Sequence, residues 1–192
     1  SCIEQPGGKV RVEDVDGELE GVLITADELH TRLAQMAHQV DADYADKDLL
    51  IVGVLKGAVM VVADFVRALS IPVEMDWMAV SSYGSSTKSS GVVRILKDLD
   101  ADLGGRHVLI VEDILDSGLT LSWLLRNLRS RGAASVEVLT LLRKPDAMRT
   151  EVDVRYLGFD IPNDFVVGYG LDYAEKYRNL DCVAKLSASV YE

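Results

Sequence analysis

Cysteine and histidine are scarce in this 192-residue chain, with 2 of the first and 3 of the second. Cys2 and Cys182 lie far apart and have no partner spacing for zinc or for a redox pair, so each reads as an ordinary thiol. His30 and His38 are too far apart for the one-turn pair that grips a metal, and His107 opens an apolar run, so all three histidines read as structural. No uninterrupted apolar stretch approaches the length of a bilayer span. The start lacks the basic segment followed by an apolar one that marks a secretory signal, although Ser1 in place of Met leaves room for residues before it. A cytoplasmic protein is expected. Positive charge is also short, with 20 Lys and Arg against 31 Asp and Glu and a formal net charge of -11. Nucleic acid and anionic membrane both need a basic face, so neither is an expected partner. A small phosphorylated ligand remains open, because backbone amides, a divalent cation and a few placed lysines can neutralise it locally.

The chain shows no internal repeat and no low-complexity run. With 48% hydrophobic residues it is long enough to bury the core of one domain, taken as residues 1–192. After an apolar segment at Gly21 to Ile24, Thr25 and Glu28 form a capping-box pattern. Leu29, Leu33, Met36, Ala37 and Val40 then recur at helical spacing. Leu49 to Leu55 is apolar apart from Gly53 and too short for a typical helix, which suggests a strand buried on both faces. Gly57 to Leu69 reads as helix. Val73 to Val80 reads as a strand entering a polar loop, SSYGSSTKSSG at 81–91, from which Val92 to Leu96 returns as part of a hairpin. Val108 to Val111 is a further short apolar strand. Leu121, Leu124, Leu125 and Leu128 mark one face of a helix that ends with basic residues and Gly132, and Val136 to Leu142 makes another buried strand.

Short apolar strands alternating with amphipathic helices indicate an α/β fold, a parallel sheet covered on both sides and joined by right-handed crossovers. Ligands in such sheets gather at the carboxyl ends of the strands, where Leu55, Lys56, Glu112, Asp113 and Lys144 fall. The densest group is Glu112-Asp113-Ile114-Leu115-Asp116-Ser117-Gly118-Leu119-Thr120, with acids at a strand end and small or hydroxylated residues where a helix begins. A helix start offers unpaired N–H groups and partial positive charge, so it can hold a phosphate monoester, with Ser117 and Thr120 adding hydroxyl donors. The adjacent carboxylates would repel bare phosphate and make more sense facing ribose hydroxyls or a magnesium ion. The bland alternative is that Asp116 and Ser117 only cap the helix while Glu112 and Asp113 are solvated in a loop.

VEDILDSGLT at 111–120 resembles the signature of type I phosphoribosyltransferases in the form of their hypoxanthine-guanine branch, and no G-x-x-x-x-G-K-[ST] kinase loop is present. The resemblance runs through most of the chain. Leu55-Lys56-Gly57 is similar to that family's pyrophosphate loop, Ser82-Tyr83 to the start of its mobile lid, and FDIPNDFVVGYGLDYAEKYR at 159–178 to its base-binding tail. It implies a twisted, mostly parallel sheet flanked by helices, with a small hood from chain-terminal segments, a lid at about 81–92 and a hood segment at about 155–180. It implies transfer of the phosphoribosyl group of 5-phosphoribosyl 1-pyrophosphate to N9 of hypoxanthine or guanine, giving IMP or GMP and pyrophosphate, with Mg2+ as cofactor and a homodimer or homotetramer as the assembly.

Carried over residue by residue, the resemblance implies that Ser117, Gly118, Leu119 and Thr120 hold the ribose 5-phosphate. Glu112 and Asp113 would meet the ribose hydroxyls, directly or through the metal, and Asp116 would face purine N7 as the catalytic carboxylate. Lys56 and Gly57, after an unusual cis peptide bond, and Arg178 would bind pyrophosphate. Lys144 would donate to the purine 6-oxo group, Phe165 would stack on the base, the Val166 amide and carbonyl would read its Watson–Crick edge, and Asp172 would help hold a second magnesium. The departures are Ser117 where many relatives have threonine, Leu119 where many have lysine, and Ala58 where some have glycine. Three competing readings are a nucleotide-sensing RNA-binding regulator on the same fold, a transferase for xanthine or a pyrimidine, and a non-catalytic assembly subunit. The acidic balance opposes the first, Lys144 with Phe165-Val166 the second, and the full set of polar site residues the third.

Overall fold

The computed structural model describes residues 10–15, 17–82 and 93–192. Strand β1 (Leu19–Ile24) leads into helix α1 (Ala26–Asp43), which is followed by β2 (Leu49–Leu55), α2 (Val59–Ala68), β3 (Glu74–Ser82), β4 (Val93–Lys97) and β5 (His107–Leu115). Helix α3 (Leu119–Arg129), β6 (Ser135–Arg143), β7 (Tyr156–Asp160), β8 (Val166–Val167), β9 (Val183–Leu186) and the short α4 (Ala188–Tyr191) complete the order. Tyr83 and the remainder of the expected lid lie outside the described residues.

Helix α1 begins where the capping box places it. The Glu28 N–H donates to Thr25 Oγ1 and the Thr25 N–H donates to Glu28 Oε1, both at 3.2 Å, which satisfies two of the orphan donors of the first turn. Its buried face is Leu29, Leu33, Met36, Ala37 and Val40, the set chosen by spacing, and α3 likewise buries Leu121, Leu124, Leu125 and Leu128. Six strands form one sheet in the order β4-β3-β2-β5-β6-β7. All neighbours are parallel except β4, which returns antiparallel to β3 as the hairpin pattern predicts. Two apolar layers cover it: α1 and α2 pack on Ile51, Leu109 and Leu139 from one side, and α3 packs on Leu50, Val108 and Val138 from the other. That double burial is why β2 is a continuous apolar run.

Most element ends fall within one or two residues of the sequence reading, as where α2 starts at Val59 in place of Gly57, and two segments depart from it further. Strand β5 continues four residues past Val111 to Leu115, so Glu112 and Asp113 lie inside it, Glu112 opposite Thr140 of β6. Their polarity ended the apolar run in sequence, whereas the ladder of hydrogen bonds continues. The 155–180 stretch also divides, because β7 is the sixth strand of the main sheet. A separate three-stranded antiparallel sheet in the order β1-β9-β8 stands beyond it. It joins the two ends of the chain as the expected hood.

The chain passes from β2 to β3 on one side and later to β5 on the other. This reversal makes the gap between the carboxyl ends of β2 and β5 the topological switch point, where open α/β sheets bind ligands. No helix among the described residues is long and apolar enough to cross a membrane.

Candidate active site

At the end of β5 the chain turns through Asp116, Ser117 and Gly118 into α3. Gly118 is the N-cap, with φ of 82°, and no side chain caps the helix. A Cβ at Gly118 would stand 2.9 Å from the Thr150 carbonyl oxygen, so both the left-handed backbone and the close approach call for glycine. Asp116 and Ser117 are therefore not the caps of the bland reading, although the Leu119 N–H reaches Ser117 Oγ at 3.3 Å. The uncapped first turn keeps a partial positive charge facing a cavity of about 250 Å³ lined by Glu112, Asp116, Ser117, Gly118 and Thr120. Leu119 does not line it.

A second cavity, of about 340 Å³, adjoins the first, and Asp116 and Ile114 line both. Asp113, Lys144, Phe165, Val166 and Asp172 complete its wall with Leu171. Lys144 follows β6 directly. Its N–H donates to the Leu115 carbonyl at 2.9 Å and its largely buried ammonium lies 3.8 Å from Asp116 Oδ2. One buried cation thus faces one exposed carboxylate in a pocket whose remaining wall combines Ile114, Phe165, Val166 and Leu171 with Asp113 and Asp172.

The hood forms the opposite wall. Val166 pairs with Lys185, and the Leu186 N–H donates to the Phe165 carbonyl at 2.8 Å. Hydrogen-bonded and non-bonded pairs alternate along an antiparallel ladder, so the Val166 amide and carbonyl point away from β9. Strand β8 is an edge strand, which turns those two groups toward open space beside the cavity. Phe165 is backed by aromatics that sequence spacing did not single out. Tyr191 stacks on it at 5.0 Å between ring centroids, and Tyr173 meets it edge-on at 5.6 Å.

Lys56, Gly57 and Arg178 line neither cavity but adjoin them through the acids. The Leu55–Lys56 peptide bond is cis, as the family resemblance implies. A Cβ on Gly57 would fall 2.0 Å from Asp113 Oδ2, and one on Gly170 would fall 2.1 Å from the Gly57 carbonyl oxygen. The loop is therefore wedged between β5 and the hood. Arg178 donates from Nη1 to the Gly170 carbonyl at 2.6 Å, while Nη2 lies 3.4 Å from Asp172 Oδ1 and 3.2 Å from Glu175 Oε1. Glu175 also takes Lys56 at 3.1 Å. Glu175 was not among the residues expected from sequence; its only signal there is its place between Asp172 and Arg178.

Burial pushes the carboxyl groups of Glu112 and Asp113 up from their ordinary values, and the charge of Asp113 raises Glu112 further. Two adjacent carboxylates, Glu112 buried and Asp113 half-buried, whose ionisation is disfavoured form a site that a cation or a set of hydroxyl donors would relieve. Among the described residues no group of three or more His, Cys, Asp or Glu side chains converges to hold a metal. Glu112 with Asp113, and Asp172 separately for a second ion, instead fit the magnesium mode in which one or two carboxylates share the ion with substrate oxygens and water.

Residues 25–174 match the model of the phosphoribosyl transferase domain. The chain is 57% identical over 182 residues to the hypoxanthine-guanine phosphoribosyltransferase of Mycobacterium tuberculosis, covering 92% of this chain and 90% of that one. It is 47% identical over 175 residues to the enzyme of the same name from Bacillus subtilis, covering 91% and 97%. Among solved structures it is similar to a hypoxanthine phosphoribosyltransferase of Staphylococcus aureus, with a TM-score of 0.92 and 39% identity over 95% of this chain and 100% of that one.

Proposed function

The chain belongs to the phosphoribosyltransferase family, and from that membership we propose that it is a purine salvage enzyme. It transfers the phosphoribosyl group of 5-phosphoribosyl 1-pyrophosphate to N9 of hypoxanthine or guanine, releasing pyrophosphate and giving IMP or GMP. The observation that carries this reading is the pair of cavities that share Asp116, one at an uncapped helix start and the other between Lys144, Phe165 and Val166. The first suits a phosphate monoester, the second a flat base with an oxo group.

In this arrangement the N–H groups of Gly118 and Thr120, with the hydroxyls of Ser117 and Thr120, hold the 5-phosphate, and the Leu119 N–H joins them if phosphate displaces Ser117 Oγ from it. Glu112 and Asp113 accept from the ribose hydroxyls. The base slides against Phe165, whose ring Tyr191 and Tyr173 hold in place, and the Val166 amide and carbonyl read its edge. Lys144 donates to the 6-oxo group; adenine, with an amino group there, offers no acceptor. Asp116 faces N7 and takes or shares the purine proton as N9 bonds to the anomeric carbon and the bond to pyrophosphate breaks. The transition state has oxocarbenium character, and Lys56 and Arg178 stabilise the charge that develops on the leaving group. Magnesium would be held by Glu112 and Asp113, and a second ion by Asp172, each shared with substrate oxygens and water, and would supply further neutralisation of the pyrophosphate. The segment 81–92, with Ser82 and Tyr83 at its start, is the lid that excludes water. The same reading extends to a cytoplasmic homodimer or homotetramer.

The test offers hypoxanthine, guanine, xanthine, adenine and uracil separately with the sugar pyrophosphate and magnesium, and quantifies nucleotide. Metal-dependent product from hypoxanthine or guanine, with little from adenine or uracil, is expected. No product from any base refutes the transferase reading, and equal product from adenine refutes the role of Lys144.

A further inference from the structure

The turn between Asp172 and Arg178 carries Glu175 to the two cations assigned above to pyrophosphate. Glu175 Oε2 lies 3.1 Å from Lys56 Nζ, and Oε1 lies 3.2 Å from Arg178 Nη2. A single carboxylate thus bridges cations supplied by the end of β2 and by the hood. The backbone is bent to present it: Ala174, Glu175 and Tyr177 have φ of 50°, 67° and 75°, a region that non-glycine residues seldom occupy. The Glu175 N–H donates to Asp172 Oδ2 at 2.9 Å, which fixes the turn from within. Lys56 and Arg178 each take one oxygen of the Glu175 carboxylate. Its side chain is 62% exposed and has solvent to swing into.

We propose that Glu175 is an internal counter-ion of the pyrophosphate subsite, holding Lys56 and Arg178 while the subsite is free and giving them up to the pyrophosphate group of substrate or product. The inference rests on the transferase reading and adds a residue to it. Exposed ion pairs are individually weak, so pyrophosphate, which brings more charge and more acceptor oxygens than a carboxylate, displaces Glu175 easily. When pyrophosphate leaves, Glu175 re-forms the bridge, which favours release. Glu175 therefore acts on binding of the leaving group and touches neither the base nor the reacting carbon.

The experiment compares wild type with Glu175→Gln by calorimetric titration with magnesium pyrophosphate and by initial rates. Glu175→Gln is expected to bind pyrophosphate about three- to tenfold more tightly, the range in which a pair of exposed ion pairs acts. The KM for the sugar pyrophosphate should fall in parallel, with the KM for hypoxanthine unchanged. Weaker pyrophosphate binding would assign Glu175 a purely structural role and overturn the inference, as would no change. In a Lys56→Met background the gain from Glu175→Gln should shrink, because one of the two competed-for cations is gone; an undiminished gain would also overturn it. Wild type that neither binds pyrophosphate nor forms nucleotide defeats the transferase reading itself. Normal synthesis by wild type with no tightening in the variant defeats only the counter-ion.

Discussion

Replacing Gly57 by alanine tests the geometry of the site with a single methyl group. The added Cβ would lie 2.0 Å from Asp113 Oδ2 and 2.9 Å from Asp113 Cγ. Ordinary contacts are about 3.5 Å or more, so one side must move by more than about 1 Å. Asp113 has little freedom: it sits within β5, and its Oδ1 already accepts the Ile114 N–H at 2.9 Å. The loop is also held from the hood, where Gly170 lies against the Gly57 carbonyl oxygen. A displacement of that size in a substrate-holding group costs about 10²-fold in rate, or about 2.7 kcal/mol of transition-state stabilisation. The loss should appear in kcat/KM for the sugar pyrophosphate, while the KM for hypoxanthine changes much less. Overpacking of about 1–3 kcal/mol would also lower stability, by about 2–4 °C for each kcal/mol in a chain of this size. Initial rates with each substrate varied, together with a thermal melt, give both readouts. A Gly57→Ala enzyme with kcat/KM for the sugar within threefold of wild type and an unchanged Tm would refute the argument, because the wedge between Asp113 and Gly57 would then be soft.

Two other perturbations separate chemistry from stability. Asp116→Asn should lower kcat by about two to four orders of magnitude, the usual contribution of a positioned acid or base, with the KM values less affected; near-normal turnover removes Asp116 from that role. Glu112→Gln should make the ligand-free protein more stable at neutral pH and the KM for the sugar pyrophosphate higher. Burial raises the folded-state pKa of Glu112 above its unfolded value, so its contribution to stability is fully present below the unfolded pKa and is lost as pH rises through the folded one. Thermal melts of wild type without magnesium should therefore fall as pH rises across that window, and the variant should flatten the fall. Identical pH profiles would show that Glu112 ionises in the folded protein as freely as in water.

The scaffold was legible wherever local pattern and tertiary burial agree. The α1 face, the antiparallel return of β4 and the two-sided burial of β2 follow from spacing and length alone. Strand β5 looks short in the sequence because Glu112 and Asp113 break the apolar run, and the site itself is the reason two carboxylates stand where a strand would otherwise be apolar. The hood was expected from resemblance, whereas its pairing was not readable: β8 has two residues and β9 four, too few for a period, and β1 lies about 160 residues before its partner in the chain. The free amide and carbonyl of Val166 depend on that distant register, and so does the stacking of Tyr191 on Phe165. Glu175 is not legible in the sequence, because an acid between Asp172 and Arg178 looks like surface charge until the turn folds it back onto Lys56.

An acidic protein that must admit a pyrophosphate ester confines its positive charge to a few points, and the structure shows how each is kept from closing on itself. Lys144 is held by burial beside Asp116, Arg178 by the Gly170 carbonyl with Asp172 and Glu175, and Lys56 by its ion pair with Glu175. Glu112 and Asp113 carry the opposite burden, being carboxylates kept from water. The ligand-free site therefore holds cations paired with weak, exposed partners and anions with too little solvation, and both conditions are relieved by one ligand that brings phosphate oxygens, hydroxyl donors and a divalent cation together. On this account binding of the sugar pyrophosphate with magnesium should stabilise the fold more than either component alone. The excess comes from Glu112 and Asp113, and it should vanish in Glu112→Gln if those carboxylates are its source.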